Sequence, residues 1–300
     1  MKSKTIFLFL IFHYSFSYSQ NPENFAKQIE SQYKAIKGDS VFASMCECSN
    51  SQYRLFLNSL LEKGDKKNYL THRPDSTKWN FRMIFPKSQS FNEPIAAVYG
   101  WHQKYANYPV VNISFYSAIA YCEWLTLKYN SSSNRKFKKV VFRLPDADEW
   151  KFAARGINPN KSVSYAKRFL PWDGYTYRNV KGKYLANFAP LSDDAIKRDD
   201  NYYLKVVDSI HFSNIGADGF IYQAPCDKSI SKFYKPNGFG LYHMAGNVSE
   251  LILEEGKTKG GSYISPGYYL LIDTDEPEFR EELLGGPFIG FRPFMFVVER

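Results

Sequence analysis

Hydrophobic residues recur at helical spacing in four segments of the first half of the chain. The predicted helices cover residues 22–37, about 49–63, about 114–129 and the residues that follow Pro145. The first has Asn21 as a possible N-cap and Pro22 at its first helical position. In the last, Asp146 is the N-cap and Glu149 stands three residues on, which is the spacing of a capping box. Each pattern indicates an amphipathic helix that packs on a core.

After Gly156 this periodicity stops, and the second half is predicted to be largely irregular. It is rich in Gly, Pro, Asn, Asp and aromatic residues and holds only short extended runs. Such a composition is typical of a backbone held by turns, packing or bound ions. A short apolar strand is predicted earlier, at Val140–Phe142. The sequence has no internal repeat, Pro-rich linker or low-complexity tract, so one compact domain is expected.

The first 19 residues have the pattern of a secretory signal peptide. Lys2 and Lys4 precede the apolar run Ile6–Phe12, and residues 17–19 (Ser-Tyr-Ser) form a small-x-small cleavage site. The alternative, a buried first helix, would need an amphipathic period that is absent here. No cysteine near the cleavage point offers a lipid attachment site, and no later apolar stretch reaches the roughly 18 residues of a membrane span. We expect an exported protein, periplasmic, outer-membrane-associated or extracellular, with no transmembrane span.

Composition excludes a disordered chain but leaves the partner open. Aromatic residues make up 18% and hydrophobic residues 44% of the 300 positions, enough for a large core. The formal net charge of +9 predicts contact with anionic surfaces or glycans without specifying a partner. We interpret the basic cluster Arg135–Lys139 as a solvated loop rather than a polyanion site. Export also argues against a nucleic-acid partner.

Four cysteines remain after the signal segment, at Cys46, Cys48, Cys122 and Cys226. In an oxidising compartment this number permits up to two disulfides, with three possible connectivities that the sequence leaves open. Cys46 and Cys48 stand two apart in a segment that resembles a strand, where a bridge between them would strain the backbone. A zinc site is disfavoured because no second Cys pair or nearby His stands at ligand spacing.

Nine strings of the sequence resemble the formylglycine-generating enzyme (sulfatase-modifying factor) family. In the family's order they are residues 49–54 (SNSQYR), 108–114 (YPVVNIS), 118–125 (AIAYCEWL), 142–156 (FRLPDADEWKFAARG), 171–174 (PWDG), 186–188 (ANF), 236–248 (PNGFGLYHMAGNV) with Glu250, 259–263 (KGGSY) and 290–292 (GFR). The resemblance implies an α+β fold with a C-type-lectin-like core, low regular secondary structure and bound calcium. It places a helical lead-in at residues 20–44 and a single domain at residues 45–300.

The family's catalytic members bind Cu(I) through two cysteines that follow the Gly-Gly-Ser string. At those positions this chain has Ser265 and Leu270. Soft thiolates make a Cu(I) site, and neither a hydroxyl nor an alkyl group replaces them. The comparison therefore predicts no copper and no catalytic residues of the family's kind. For a different chemistry in the same pocket, position alone suggests Ser262, Ser265, Tyr268 and Arg292, with no base identified to activate a serine.

The family's first calcium site is matched in full. The resemblance places there the Asn187 side chain, the Phe188 carbonyl, Asp218 and the Phe220 carbonyl. Carboxylate, amide and carbonyl oxygens are the ligands that calcium prefers. The alternative is that Asn187 and Asp218 only cap turns.

The second calcium site departs from the family's pattern. It would use the Gly246 and Val248 carbonyls and the Glu250 carboxylate, but His243 stands where an Asn or Asp is expected. A neutral imidazole is a poor calcium ligand. The sequence therefore predicts one structural calcium and leaves the second in doubt.

Two functional hypotheses remain from the sequence. The favoured one is a non-catalytic scaffold or binding protein of the bacterial cell envelope. It would resemble the non-catalytic domains of gliding-motility or type IX secretion lipoproteins and would have an envelope protein or glycan as its partner. The alternative is an enzyme of unknown chemistry, or a diverged sulfatase-modifying factor, that uses the same pocket. Partner contacts are expected from the segments His72–Trp101 and Pro190–His211, which carry charges interleaved with Tyr and Phe.

Overall fold

The computed structural model describes residues 22–79, 97–157, 168–172, 174, 176–188, 196–198, 204–206, 225, 234–274 and 285–300. Their helices are α1 Pro22–Gln32, α2 Asn50–Glu62, α3 Lys66–His72, α4 Phe115–Asn130 and α5 Ala147–Arg155, with short 3-10 turns at Ser76–Trp79, Gln103–Tyr105 and Gly267–Leu270. The strands are β1 Tyr33–Lys37, β2 Val41–Ser44, β3 Lys139–Arg143, β4 Ile196–Arg198, β5 Leu204–Val206, β6 Ser249–Leu251, β7 Thr258–Lys259, β8 Ile289–Phe291 and β9 Phe294–Glu299. The fold is α+β with long irregular stretches.

The main sheet joins the two ends of the described chain. Its strand order is β1-β2-β9-β3, and all three pairings are antiparallel. Helix α4 covers β3, where its side chains bond to the strand's backbone: Asn130 Nδ2 donates to the Val140 carbonyl at 2.8 Å, and the Phe142 N–H donates to Thr126 Oγ1 at 2.8 Å. These bonds satisfy backbone groups that an edge strand would otherwise leave open.

Helices α2, α4 and α5 start close to the predicted positions. Ser49 caps α2 and, with Gln52, forms a capping box. Asp146 caps α5 and pairs with Glu149 in a second capping box, as predicted. Helix α4 begins after its cap Ser114 and ends one residue beyond the predicted limit. The predicted strand at Val140–Phe142 is confirmed as the centre of β3.

The prediction of one helix over residues 22–37 is wrong in its second part. Helix α1 ends at Gln32, and the next five residues form β1, which pairs with β2. Tyr33 and Ile36 are buried as expected, but from a strand. Helical periodicity and the sheet's backbone pairing compete here, and the tertiary pairing wins. Residues 33–44 thus belong to the main sheet rather than to a helical lead-in.

Two further sequence interpretations change. Strand β2 ends at Ser44, so that Cys46 and Cys48 lie in the bend after it rather than in a strand. The segment 190–211, expected as an irregular loop, contains a two-stranded ribbon of β4 and β5.

A second, smaller sheet carries the site described below. Its order is β7-β6-β8, with β6 antiparallel to β7 and parallel to β8. Strand β6 is buried along its whole length, which brings Glu250 into the interior. Within the described ranges, no helix has the length and apolar character needed to cross a membrane.

Candidate functional site

Two regions hold the candidate catalytic residues, the two former cysteine positions and Glu250 of the second calcium site. We call residues 260–270 the serine turn. We call Glu47, His243, Asn247, Glu250 and Arg292 the carboxylate centre.

The serine turn closes on itself through its two hydroxyls. The Ser262 N–H donates to Ser265 Oγ at 2.9 Å, the two hydroxyl oxygens lie 3.1 Å apart, and the Ser265 N–H donates to the Ser262 carbonyl at 3.0 Å. Gly261 enters the turn at φ +68°, and a Cβ there would lie 3.0 Å from Leu270 Cδ1. Both serines are buried, Ser265 with 3% of its surface exposed. They form a structural turn.

No general base accompanies these hydroxyls in the part of the chain that the structure describes. Their hydrogen bonds join Ser262, Ser265 and the backbone of Ile264. A serine nucleophile needs a base within hydrogen-bond reach. The arrangement therefore offers no activated nucleophile.

Leu270 stands at the other former cysteine position and is packed as a core residue. It ends the 3-10 turn and is fully buried in a cluster with Leu170, Ala186, Phe188 and Ala245. The Ser265 hydroxyl thus hydrogen-bonds within the turn, and the Leu270 side chain packs in the core. These donors do not fit a copper ion, which requires soft ligands.

The structure does not bring the other candidates, Tyr268 and Arg292, to these serines. Tyr268 follows Gly267 on the surface, with 64% of its area exposed. Arg292 is fully buried, and its hydrogen bonds go to the carboxylate centre and to two backbone carbonyls. A cavity of about 140 Å³ borders Cys46 and Glu47, and no residue of the serine turn lines it.

At the carboxylate centre, Arg292 binds Glu250 in the protein interior. Arg292 Nη2 donates to Glu250 Oε1 at 2.6 Å, and Arg292 Nε donates to the same oxygen at 2.9 Å. Trp150 Nε1 donates to Glu250 Oε2 at 2.8 Å. The remaining guanidinium donors reach the carbonyls of Ser44 and Tyr242 at 2.8 and 2.7 Å. Every charged oxygen and nitrogen of the pair is therefore compensated, as a buried ion pair requires.

Glu47 forms the other half of the centre. Asn247 Nδ2 donates to Glu47 Oε1 at 2.8 Å, and His243 Nδ1 lies 3.3 Å from Glu47 Oε2. Burial by itself raises the pKa of this carboxyl, but His243, Arg292 and the Asn247 hydrogen bond outweigh it and hold the pKa of Glu47 below its ordinary value. His243 and Asn247 both adopt positive φ, +55° and +70°. The backbone is thus bent to deliver both side chains to one carboxylate.

These contacts do not fit the second calcium site of the family. Both oxygens of Glu250 accept from Arg292 or Trp150, and an imidazole replaces the expected amide oxygen at His243. The His243 Nε2 atom is buried and has no hydrogen-bond partner among the described residues. The guanidinium of Arg292 occupies the Glu250 carboxylate that a calcium ion would need.

The described half of the first calcium site does fit. Asn187 is buried, its backbone carbonyl accepts from the Asn247 N–H at 2.7 Å, and its Nδ2 donates to Asn247 Oδ1 at 3.3 Å. Gly246 is required beside it, because a Cβ there would lie 2.2 Å from the Asn187 carbonyl oxygen. The Asn187 amide and the Phe188 carbonyl supply oxygens of the kind that calcium prefers. Asp218 and Phe220 lie outside the described residues.

Sequence reasoning missed Glu47, Asn247 and the role of Arg292. Glu47 and Asn247 are 200 residues apart, so no spacing rule connects them. One signal was present: Glu47 stands between Cys46 and Cys48, in an apolar setting that disfavours an unpaired carboxylate. Cys46 is disulfide-bonded, Cys48 and Cys122 are free and buried, and Cys226 lies outside the described residues.

The chain is similar in sequence to several proteins. Formylglycine-generating enzyme from Mus musculus is 25% identical over 247 residues, which cover 74% of this chain and 50% of that protein. Formylglycine-generating enzyme from Streptomyces coelicolor is 25% identical over 57% of this chain and 37% of its own length. Inactive C-alpha-formylglycine-generating enzyme 2 from Bos taurus is 26% identical over 63% of this chain and 46% of its own length. The chain thus spans about half the length, or less, of these relatives.

Among solved structures, Treponema denticola variable protein 1 is 17% identical and aligns with a TM-score of 0.46, over 86% of this chain and 84% of that one. The crystal structure of CarF is 19% identical, with a TM-score of 0.47 over 86% of each chain. The family model described as the sulfatase-modifying factor enzyme 1-like domain matches residues 26–293. Because this match covers most of the sequence and agrees with the α+β fold, the chain belongs to the formylglycine-generating enzyme family.

Proposed function

We propose that this chain is an exported, non-catalytic scaffold or binding protein of the bacterial cell envelope, built on the formylglycine-generating enzyme fold. The observation that carries the proposal is the state of the two former cysteine positions. Ser265 is used in a closed turn and Leu270 in a hydrophobic cluster. A site that has lost its metal ligands to packing keeps the scaffold but not the oxidase chemistry.

A relative supports this interpretation. The bovine protein named inactive C-alpha-formylglycine-generating enzyme 2 is as similar in sequence to this chain as the active-named relatives are. A fold of this kind is therefore kept without formylglycine synthesis in at least one protein by name, and we place this chain in the same functional class.

Export and partner follow from other parts of the sequence. The signal-like first 19 residues direct the chain out of the cytoplasm, to the periplasm, the outer membrane or the extracellular space. We propose an envelope protein or glycan as the partner and exclude nucleic acid, with an accessory role in gliding motility or type IX secretion as the specific setting. One calcium ion, held by Asn187, Phe188, Asp218 and Phe220, would stabilise the fold, and no copper would bind.

A gain-of-function variant tests the absence of catalysis. Wild-type protein lacking residues 1–19 should bind no stoichiometric Cu(I) and form no formylglycine in a sulfatase-type cysteine peptide. The variant Ser265→Cys/Leu270→Cys restores both thiols and should bind Cu(I), as measured by competition with a chromogenic chelator. The variant Ser265→Cys alone is the matched control and should bind much more weakly.

The outcome that overturns the proposal is a formylglycine product made by the wild-type protein, detected by mass spectrometry of the peptide. Stoichiometric Cu(I) binding by wild type, lost in Ser265→Ala, would overturn it equally. Failure of the double variant to bind Cu(I) would instead contradict the assignment of these two positions.

A further inference from the structure

Residues 177–184, which we call the basic finger, form a hairpin fixed by its own backbone. Arg178 and Tyr184 pair in an antiparallel bridge, and the Asn179 N–H donates to the Lys183 carbonyl at 2.9 Å. The side chain of Asn179 accepts from the N–H groups of Lys181 and Lys183 at 2.9 and 3.1 Å. Such bonds, two of them made by the Asn179 side chain, hold the turn in one shape.

The base of the finger is anchored in the domain. The Tyr177 hydroxyl donates to the Gly267 carbonyl of the serine turn at 2.8 Å. The rings of Tyr177 and Tyr184 both lie with their centroids 5.3 Å from that of Phe188, which belongs to the same buried cluster as Leu270. The finger is therefore a rigid projection from the core rather than a loose connection.

The tip is exposed to solvent, and its one side-chain contact with the base in the described part of the chain is the Arg178 guanidinium over the Tyr184 ring, 4.3 Å from the ring centroid. All six residues from Arg178 to Lys183 are exposed, and Val180 is exposed over its full area, at 104%. The side chains of Lys181 and Lys183 form no ion pair among the described residues. From Thr176 to Phe188 the sequence contains no acidic residue. An apolar side chain, Val180, is thus held in water beside basic side chains that form no ion pair with the described residues.

We propose that the basic finger attaches the protein to the surface of an anionic lipid membrane. Arg178, Lys181 and Lys183 would lie at the headgroup phosphates, and Val180 would enter the interfacial layer beneath them. Basic residues beside an anionic leaflet each add to surface attraction, and an apolar residue gains from leaving water. The chain's net charge of +9 adds long-range attraction to the same surface.

The valine is what favours a lipid surface over a polyanionic glycan. A glycan offers negative charge to the three basic side chains, but no apolar phase for Val180. Because the finger is built from contacts within one domain, the proposal does not depend on the absence of catalysis or on which compartment holds the protein.

Vesicle co-sedimentation tests the proposal with protein lacking residues 1–19, which retains the whole family domain at 26–293. Vesicles of phosphatidylcholine with about one third phosphatidylglycerol should bind the protein, and pure phosphatidylcholine vesicles should not. Lys181→Glu/Lys183→Glu should weaken binding by at least about tenfold, and Val180→Asp should weaken it by several-fold.

Matched controls exist elsewhere on the surface. Lys66→Glu/Lys67→Glu makes the same charge change on exposed residues of α3, and Leu127→Asp makes the same kind of change at an exposed apolar residue of α4. Both should bind vesicles within about twofold of wild type. Thermal melts confirm that every variant is folded, which is expected because each site is exposed.

Three results would overturn the proposal. Equal weakening by the α3 control would show attraction to net charge rather than to the finger. If Val180→Asp bound vesicles as well as wild type, and both proteins bound soluble dextran sulfate equally, the ligand of the finger would be a polyanionic glycan. Equal binding of wild type to neutral vesicles would exclude headgroup recognition.

Discussion

The serine turn and the carboxylate centre are two of the three places where the family resemblance predicts metal ligands, and this chain departs from the family's pattern differently at each. The serine turn has exchanged its ligand positions for a hydroxyl and an alkyl group, both satisfied by local contacts. The carboxylate centre has kept its charge: Glu47 and Glu250 remain buried beside His243 and Arg292. One region became neutral, and the other became an internal ion-pair network.

Physical chemistry explains why the two regions diverged differently. When a thiolate ligand is replaced by a neutral side chain, no charge is left behind and the space can be filled by packing. A buried carboxylate is different, because leaving it without a cation costs several kcal/mol. Retained acids therefore demand a positive partner, and Arg292 is that partner for Glu250.

The largest effect should come from removing Arg292. Arg292→Met leaves Glu250 buried with only the Trp150 hydrogen bond and should lower the free energy of unfolding by about 3–5 kcal/mol in urea denaturation. The double variant Glu250→Gln/Arg292→Met removes the uncompensated charge and should recover much of this loss.

A surface ion pair is the control for this comparison. Lys138 and Glu299 lie 3.1 Å apart with both side chains well exposed, so Lys138→Met should cost less than about 1 kcal/mol. If Arg292→Met were no more destabilising than Lys138→Met, the centre would not be an essential buried pair and the contrast with the serine turn would collapse.

The comparison also shows what a sequence can predict. Local signals succeeded: the capping box of Asp146 and Glu149 depends on residues three apart, and it is confirmed. The predicted first helix was too long because β1 forms by pairing with β2, and hydrophobic periodicity does not detect strand pairing. The family strings predicted the fold because they fix architecture.

Local sequence signals could not predict the carboxylate centre, because parts of the chain far apart in sequence form it. Its residues come from the bend after β2, the segment before β6, β6 itself and the residue after β8, and the tertiary fold alone brings them together. The departure at His243 was visible in the sequence, but its partner Glu47 was not.

Calcium should have the next largest effect, and we expect it to bind at the first site alone. Saturating calcium should stabilise wild type by about 2.7 kcal/mol at a hundredfold excess over the dissociation constant, and EDTA should lower the melting temperature accordingly. Asp218→Ala should abolish this difference. Isothermal titration should give one calcium per chain.

His243→Asn tests why the second calcium site should differ from the first. This substitution replaces the imidazole by an amide oxygen and should allow a second calcium to bind beside Glu47 and Glu250. A stoichiometry that stays at one would show that Arg292, rather than His243, keeps calcium out. An unchanged melting curve of wild type and of Asp218→Ala in EDTA would remove the first site as well.

The smallest expected effect is a pH dependence carried by Glu47. Its folded pKa lies below its ordinary value, whereas the unfolded carboxyl titrates near about 4.3. The unfolded state therefore takes up a proton first as the solution is acidified. Glu47 consequently contributes stability that is fully present above the unfolded pKa and is lost as the pH falls through the lower folded pKa. Glu47→Gln keeps an oxygen for the Asn247 hydrogen bond but cannot titrate.

The free energy of unfolding should accordingly fall less steeply for Glu47→Gln than for wild type between about pH 5 and pH 3. Every other carboxyl titrates in both proteins, so the difference in slope reports Glu47 and its effect on Glu250, whose pKa is raised by burial and further by the Glu47 charge. Glu62→Gln, at an exposed position at the end of α2, is the control and should follow the wild-type curve. Parallel curves for wild type and Glu47→Gln would mean that His243 and Arg292 do not stabilise the Glu47 carboxylate. The carboxylate centre would then behave like the serine turn, as packing without electrostatic consequence.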